Sequence, residues 1–300
     1  MKKLIFIFNI FFAFSFLNIA SAQNNSIPAN SSSTEILKNT YVQIIDSCNW
    51  AHSGVCVAAR GGPGTSFSKE HRLRNGIVLK VSEKIETKNG SWYKIDFKNE
   101  KINKSERLKK DWYVNAKYTK ILENIKPEVY DEDNYLENKE IENKKIYINL
   151  KKQILEAYEG ETLFMRTKIS TGLKDSPTES GEYFIHYKTP SRYMQDDATT
   201  TKIFYTHTKT DTLASGESKI STSTRSYSTS TKNKINYKEY YDLPGVPFAM
   251  YFDEDGKAIH GAYWHNNFGN RHSHGCINLN LKDSEKLYRW TPVGAIVIVK

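Results

Sequence analysis

The chain has 300 residues, which suggests about two domains of ordinary size. Its 43 Lys and Arg residues outnumber its 34 Asp and Glu residues, giving a formal net charge of +9. After residue 22 no stretch is long and apolar enough to span a bilayer, so we expect no integral membrane span.

The first 22 residues have the three parts of a secretory signal peptide. Lys2 and Lys3 form a charged start, residues 4–17 are mostly apolar, and Ala20-Ser21-Ala22 supplies small residues for cleavage. This pattern predicts export, with the mature protein in the periplasm or cell wall. There the basic surface would meet an acidic wall polymer, and nucleic acid is not an expected partner. The plainer alternative is a lysine-rich surface that only contacts solvent.

The three cysteines divide into a close pair and a single residue. Cys48 and Cys56 are eight positions apart and would pair in an oxidising compartment, with a gain of about 2–3 kcal/mol from loop closure. Pairing would leave Cys276 as the odd cysteine. An unpaired cysteine in an exported chain indicates a reactive thiol.

Residues 23–40 are rich in Asn and Ser and favour a flexible leader. From 41 to 122 the pattern is that of short strands, with turns at Gly61-Gly62-Pro63-Gly64 and Asn89-Gly90. We predict a small barrel here. Residues 57–81, with Arg60 and the Gly-Pro cluster, resemble a bacterial SH3-like domain. That resemblance implies binding of wall polymers; the alternative is a spacer barrel without a ligand.

A charged stretch at 123–144 is interpreted as a linker, or as a helix, before a second β domain at 145–300. Ile146, Ile148 and Leu150 alternate with other residues, which is typical of a half-buried strand. Within this domain, residues 195–240 are dominated by Thr, Ser and Lys and predict a polar insertion. We favour a solvated loop over a lid. A short helix is expected from an Asp283 cap to Trp290, followed by Pro292.

The chemistry is concentrated between His260 and Asn278, a stretch that reads HGAYWHNNFGNRHSHGCIN. It contains Cys276 in a polar, glycine-containing run, which is a poor setting for a core residue. A thiolate is a strong nucleophile, and an imidazole such as that of His260 can take the thiol proton near neutral pH. The backbone N–H groups of Gly275 and Cys276 could converge on an oxyanion, since glycine permits a tight turn. The alternative is a buried, inert cysteine.

This stretch resembles the L,D-transpeptidase (YkuD-like) family, whose signature is His-Gly followed by Ser-His-Gly-Cys and a nearby Asn. The matching residues are His260, Gly261, Ser273, His274, Gly275, Cys276 and Asn278. The resemblance implies a mainly β protein: the SH3-like barrel followed by a YkuD-like β-sandwich, with a short helix after the cysteine.

The same resemblance assigns roles to residues. Cys276 would be the nucleophile and His260 the base, with the Gly261 carbonyl fixing the imidazole tautomer. Ser273, His274 and Gly275 would support the oxyanion. We expect Tyr263, Trp264 and Asn278 to line the substrate cleft, although the two aromatic residues could instead only pack beneath it. No cofactor and no metal are implied.

The implied activity is acyl transfer from a peptidoglycan stem tetrapeptide, through a thioester, to the amine of another stem, giving a 3–3 cross-link. With water as the acceptor the protein would be an L,D-carboxypeptidase. A non-catalytic wall-binding protein is a further alternative.

A zinc site and a papain-like endopeptidase are two other possible classes. A zinc site could use His265, His272 and His274 with Cys276, but no paired Cys or carboxylate stands at metal spacing. A papain-like wall endopeptidase requires a histidine after its cysteine, and none follows Cys276.

Overall fold

The computed structural model describes residues 33–97, 110–131, 143–212, 218–222 and 230–300. The predicted signal peptide and most of the predicted leader lie outside these residues. The described part of the chain forms one compact unit, almost entirely of β-strands, with one short α-helix near the end. The prediction of a mainly β fold is confirmed. No helix within the described residues is long and apolar enough to cross a membrane.

The N-terminal part is a seven-stranded antiparallel sheet in the order β3-β2-β6-β5-β4-β1-β7. Its strands are β1 (Thr34–Ile44), β2 (Val57–Arg60), β3 (Lys69–Leu73), β4 (Val78–Thr87), β5 (Gly90–Ile95), β6 (Tyr113–Asn115) and β7 (Thr119–Ile121). The glycine-rich cluster joins β2 to β3, and the Asn89-Gly90 turn joins β4 to β5, as predicted.

The first strand begins earlier than the sequence indicated. Thr34 pairs with Ile85 of β4, and Val42 pairs with Leu79 after a register shift between Ile36 and Thr40. The expectation of a leader extending to residue 40 is therefore wrong for residues 34–40. Most of these seven side chains are polar, and the segment is held by backbone hydrogen bonds, which do not depend on side-chain type.

The C-terminal part contains two further sheets. Its strands are β8 (Glu128–Val129), β9 (Lys144–Asn149), β10 (Ile154–Glu159), β11 (Thr162–Lys168), β12 (Gly181–Phe184), β13 (Tyr187–Thr212), β14 (Ser218–Thr222), β15 (Ser230–Tyr251), β16 (Ala258–Gly261), β17 (Ile277–Leu279) and β18 (Ile296–Val299). One sheet has the order β11-β10-β9-β18-β12, and the other has the order β14-β13-β15-β16-β17 with β8 beside β13.

The polar insertion is a β-ribbon. β13 and β15 pair in antiparallel register from Tyr187↔Tyr251 to His207↔Ser230. The expectation of a solvated loop is therefore wrong for the described parts of 195–240. Threonine favours extended backbone, and two paired strands satisfy each other's backbone groups without an apolar face. Of the predicted linker, residues 132–142 lie outside the described residues, and Glu128–Val129 pairs with the start of β13.

The helix α1 (Leu281–Trp290) connects β17 to β18 and so links the two C-terminal sheets. Its N-cap is Asn280, whose side chain accepts a hydrogen bond from the Asp283 backbone N–H, so the prediction of Asp283 as the cap is wrong. Asp283 lies in the first turn, where a carboxylate favours the helix dipole. At the other end the buried Lys188 Nζ donates to the carbonyls of Tyr288 and Thr291, at 2.9 and 2.6 Å.

The N-terminal sheet and the C-terminal part share their hydrophobic cores. Tyr41, Val78 and Leu122 of the N-terminal part pack into the cluster that contains Ile146, Ile148 and Phe248. In return, Val246 and Tyr263 pack into the cluster of the N-terminal sheet. The surface where the two parts meet is therefore fixed by packed side chains on both sides.

Candidate active site

The two residues expected to react are carried by adjacent parallel strands. β16 and β17 pair with Ile259 opposite Ile277 and His260 opposite Asn278. This register sets Cys276, one residue before β17, beside Ala258 at the start of β16. Cys276 and His260 therefore lie on neighbouring strands, with Cys276 beside a residue two positions before His260.

His260 is only 2% exposed, and its Nδ1 lies 3.1 Å from the Gly261 carbonyl oxygen. A carbonyl can only accept, so Nδ1 carries the proton and Nε2 has a free lone pair. Burial lowers the pKa of His260 to about 4, against a smaller opposing effect of the Gly261 hydrogen bond. The imidazole is therefore neutral at physiological pH and able to accept a proton.

Cys276 is half-buried and is a free cysteine. Burial raises its pKa above the ordinary value, while the Ala258 backbone N–H and the Lys257 ammonium act in the opposite direction. Among the described residues, no hydrogen bond joins this thiol to His260. Catalytic hydrogen bonds often form only in the substrate complex, so the absence of this bond does not argue against the pair.

The loop before Cys276 is tightened by one serine. The Ser273 hydroxyl donates to the Cys276 carbonyl and accepts from the Gly275 N–H at 3.3 Å. Gly275 has φ +114°, a conformation that requires glycine. Because the Gly275 N–H points at Ser273, it would have to exchange this long bond to donate to an oxyanion. The His274 ring stacks on Tyr241 of the ribbon, at 5.6 Å.

Two residues that the sequence analysis did not assign to the site brace this loop. The Thr178 hydroxyl donates to the Gly275 carbonyl at 2.7 Å and accepts from the Gly172 N–H at 2.9 Å. The Ser176 hydroxyl donates to the His274 carbonyl at 2.9 Å. The polar Ser-Pro-Thr sequence is local, but its partners in the Cys276 loop lie almost 100 residues away.

His265 is a third residue near the site, and the sequence indicated no role for it except as a possible zinc ligand. Its Nδ1 accepts from the Asn267 N–H at 3.1 Å, so in the neutral ring Nε2 bears the proton. The side-chain amide of Asn278 lies 3.0 Å from that Nε2. The amide must therefore present its oxygen to His265. The Asn278 amide has two terminal atoms, and the one that does not face His265 has no hydrogen-bond partner among the described residues. With the oxygen towards His265, this unpartnered atom is the NH₂ group.

The two aromatic residues expected in the cleft differ in position. Tyr263 is 4% exposed, donates to the Pro244 carbonyl at 2.8 Å and packs against the N-terminal sheet. Trp264 is half-buried, with its ring 5.7 Å from that of His260 and 5.0 Å from that of Tyr263. Trp264 is thus the aromatic residue beside the proposed base, and Tyr263 supports it from behind.

The three histidines considered for zinc do not form one cluster. His265 and His272 are in ring contact at 4.3 Å, whereas His274 stacks on Tyr241. Among the described residues, the one group with three clustered ligand atoms is Cys48, His52 and Cys56. Cys48 and Cys56 form a disulfide in the structure, so these sulfurs are not available as thiolate ligands.

Comparison with known proteins bears on this site. Residues 143–299 match the family model described as YkuD, the L,D-transpeptidase catalytic domain. No curated protein matches the chain. An L,D-transpeptidase structure from Mycobacterium smegmatis is 18% identical, aligns over 53% of this chain and 58% of that one, and has a TM-score of 0.35.

Two further structures show similar values. An L,D-transpeptidase from Mycobacterium tuberculosis H37Rv is 19% identical over 53% of this chain and 57% of that one, with a TM-score of 0.36. The catalytic domain of the E. faecium enzyme is 22% identical over 53% and 98%, with a TM-score of 0.33. The chain thus spans less than two thirds of the two mycobacterial chains. On the match to the family model over residues 143–299, the chain belongs to the L,D-transpeptidase (YkuD) family of cysteine transpeptidases.

Proposed function

We propose that the protein is an exported L,D-transpeptidase that acts on peptidoglycan stem tetrapeptides through a thioester at Cys276 and forms 3–3 cross-links. The observation that carries this proposal is the parallel pairing of β16 and β17. It sets a free thiol on the strand beside the one that carries a buried, neutral imidazole.

In the first half-reaction, His260 Nε2 takes the proton of the Cys276 thiol. The sulfur then attacks the carbonyl carbon of the third stem residue, and backbone N–H groups between His274 and Cys276 stabilise the oxyanion. The C–N bond to the terminal D-Ala breaks, and the leaving nitrogen takes the proton from His260. The product is a thioester between the stem tripeptide and Cys276.

In the second half-reaction, the side-chain amine of another stem attacks the thioester carbonyl. His260 takes a proton from this amine and returns it to sulfur as the C–S bond breaks. The Gly261 carbonyl holds Nδ1–H throughout, so the same nitrogen, Nε2, serves both steps.

Trp264 and Asn278 line the substrate side of the cleft, and we assign binding of the wall polymer to the N-terminal sheet.

The test is mass spectrometry of tetrapeptide-containing wall fragments incubated with the mature protein. We expect cross-linked dimers, together with a covalent carbapenem adduct on Cys276. Cys276→Ala should lose both products, His260→Gln should slow both by at least about 100-fold, and His186→Gln, a histidine outside the site, serves as the matched control. Tripeptides without dimers would identify a carboxypeptidase, and the absence of any adduct would support a non-catalytic wall-binding protein.

A further inference from the structure

A cavity of about 590 Å³ lies where the N-terminal sheet meets the catalytic half. Its walls come from the disulfide loop and β3 on one side, and from the end of the ribbon and Tyr263 on the other. The lining residues used below are His52, Lys69, Glu70, Arg72, Arg74, Asp242 and Tyr263. The cavity is distinct from the Cys276 loop, since neither Cys276 nor His260 lines it.

The cavity has an excess of positive charge. Lys69, Arg72 and Arg74 line it against the carboxylates of Glu70 and Asp242. Of these carboxylates, Glu70 is already paired with the Lys110 ammonium at 2.8 Å, a cation outside the lining. The charge balance therefore favours an anionic ligand.

Arg74 is the residue best placed to bind that anion. It is half-buried, its guanidinium lies 5.9 Å above the Tyr263 ring centre, and burial lowers its pKa. Its Nη2 lies 2.7 Å from His52 Nε2, the ring nitrogen that accepts. Among the described residues, no carboxylate forms an ion pair with it. A partly desolvated guanidinium with four remaining N–H donors and only a neutral partner favours a carboxylate that binds from outside the protein.

His52 is held in place by the disulfide loop. Its Nδ1 lies 3.8 Å from Cys56 Sγ, and its Nε2 receives the Arg74 hydrogen bond. The positive charge of Arg74 is the largest cause that lowers the pKa of His52, which keeps this ring neutral and accepting. The Cys48–Cys56 disulfide thus orients the guanidinium through one histidine.

We propose that this cavity binds a free carboxylate of a wall stem peptide, with Arg74 as the paired cation. The inference rests on the proposed function for the identity of the peptide. The cavity is connected to the reaction site through rings: Tyr263 contacts Trp264 at 5.0 Å, and Trp264 contacts His260 at 5.7 Å. A carboxylate paired with Arg74 would therefore lie on the Tyr263 side of Trp264, next to the reaction site.

The experiment is a calorimetric titration of the full mature chain carrying Cys276→Ala, so that the peptide is not consumed. The probes are a synthetic stem tetrapeptide and the same peptide with its carboxylates amidated. We expect amidation to weaken binding by about ten-fold or more, because a charge-assisted pair is lost. Arg74→Gln should weaken binding of the unmodified peptide by a similar factor. Arg74→Lys should recover part of the affinity, and Arg166→Gln, an exposed arginine elsewhere, should have no effect.

Equal binding of the two peptides to the Cys276→Ala protein would overturn the proposal without relying on any Arg74 variant. Unchanged affinity in Arg74→Gln would do the same, as would Arg74-dependent binding of glycerol 3-phosphate with no binding of the peptide. Carbapenem labelling of the wild-type protein is a separate measurement. It reports on the Cys276 chemistry alone, so a failure of the proposed function is distinguishable from a failure of this site.

Discussion

The hydrogen bonds of His265 give the sharpest test of the site. We predict that this residue positions the Asn278 amide, with its oxygen towards His265 and its NH₂ free for a substrate carbonyl. The two ring nitrogens have different partners, Asn267 N–H on Nδ1 and the Asn278 amide on Nε2. Two substitutions can therefore distinguish the effect of the hydrogen bond at Nδ1 from the effect of the one at Nε2.

In His265→Asn the side-chain oxygen can stand in for Nδ1 and still accept from the Asn267 N–H, but nothing reaches Asn278. In His265→Gln the longer side chain can place its NH₂ near the former Nε2 and still donate to Asn278. Both His265 and Asn278 are buried. Leaving one buried polar group unpaired costs about 1–3 kcal/mol, which corresponds to about 5- to 150-fold in rate if the cost falls on the transition state.

The assay is the second-order rate of carbapenem acylation of Cys276, with thermal unfolding as the control for stability. We expect His265→Asn to lose about 5- to 150-fold and His265→Gln to remain within about three-fold of wild type, well inside the range set by one hydrogen bond. A wild-type rate in His265→Asn would refute the reasoning. Equal losses in both variants would also refute it, because they would assign the effect to the ring itself rather than to its bond with Asn278.

Three further predictions concern Thr178, Lys257 and His260. Thr178→Val removes the hydroxyl that holds the Gly275 carbonyl, so we expect about 1–3 kcal/mol lower unfolding free energy and slower acylation, with Thr178→Ser close to wild type. Lys257→Met removes a cation that lowers the pKa of Cys276, so acylation should slow at neutral pH and approach the wild-type rate at alkaline pH. Burial lowers the pKa of His260 from 6.5 to about 4, so the unfolded chain binds a proton that the folded chain does not. The unfolding free energy should therefore fall as the pH decreases from about 6.5 to 4, by up to about 3 kcal/mol from this group.

For each of these predictions, one outcome would contradict it. Chemical denaturation with an unchanged midpoint in Thr178→Val would show that the loop does not depend on this hydroxyl. A constant ratio of Lys257→Met to wild-type rates across the pH range would exclude an effect on thiol ionisation, and Lys257→Arg is the charge-conserving control. For the acid dependence, denaturation curves at pH 7 and 4.5 should differ less in His260→Gln than in wild type, with His265 retaining part of the slope because burial also lowers its pKa to about 4.

The sequence was most informative for features that are formed by residues close together in the chain. The strand–turn–strand pattern at Asn89-Gly90 involves residues only a few positions apart, so its spacing shows in the chain itself. The His260 and Cys276 motif lies within one short stretch for the same reason. A mostly polar composition led to wrong predictions in residues 34–40 of β1 and in the ribbon of β13 and β15, which backbone pairing holds.

Tertiary structure alone decided which side chains share a hydrogen bond. Thr178 and Gly275, like Arg74 and Tyr263, are far apart in the sequence and meet only because sheets pack and loops close against them. Their hydrogen bonds and ring contacts follow no periodicity that a sequence could display. The amino-acid sequence by itself therefore determined the chemistry, a thiol with a histidine and a glycine-containing loop. The folded chain determined the tautomers, the burial and the charged cavity, because these depend on the distances between residues that the chain order does not bring together.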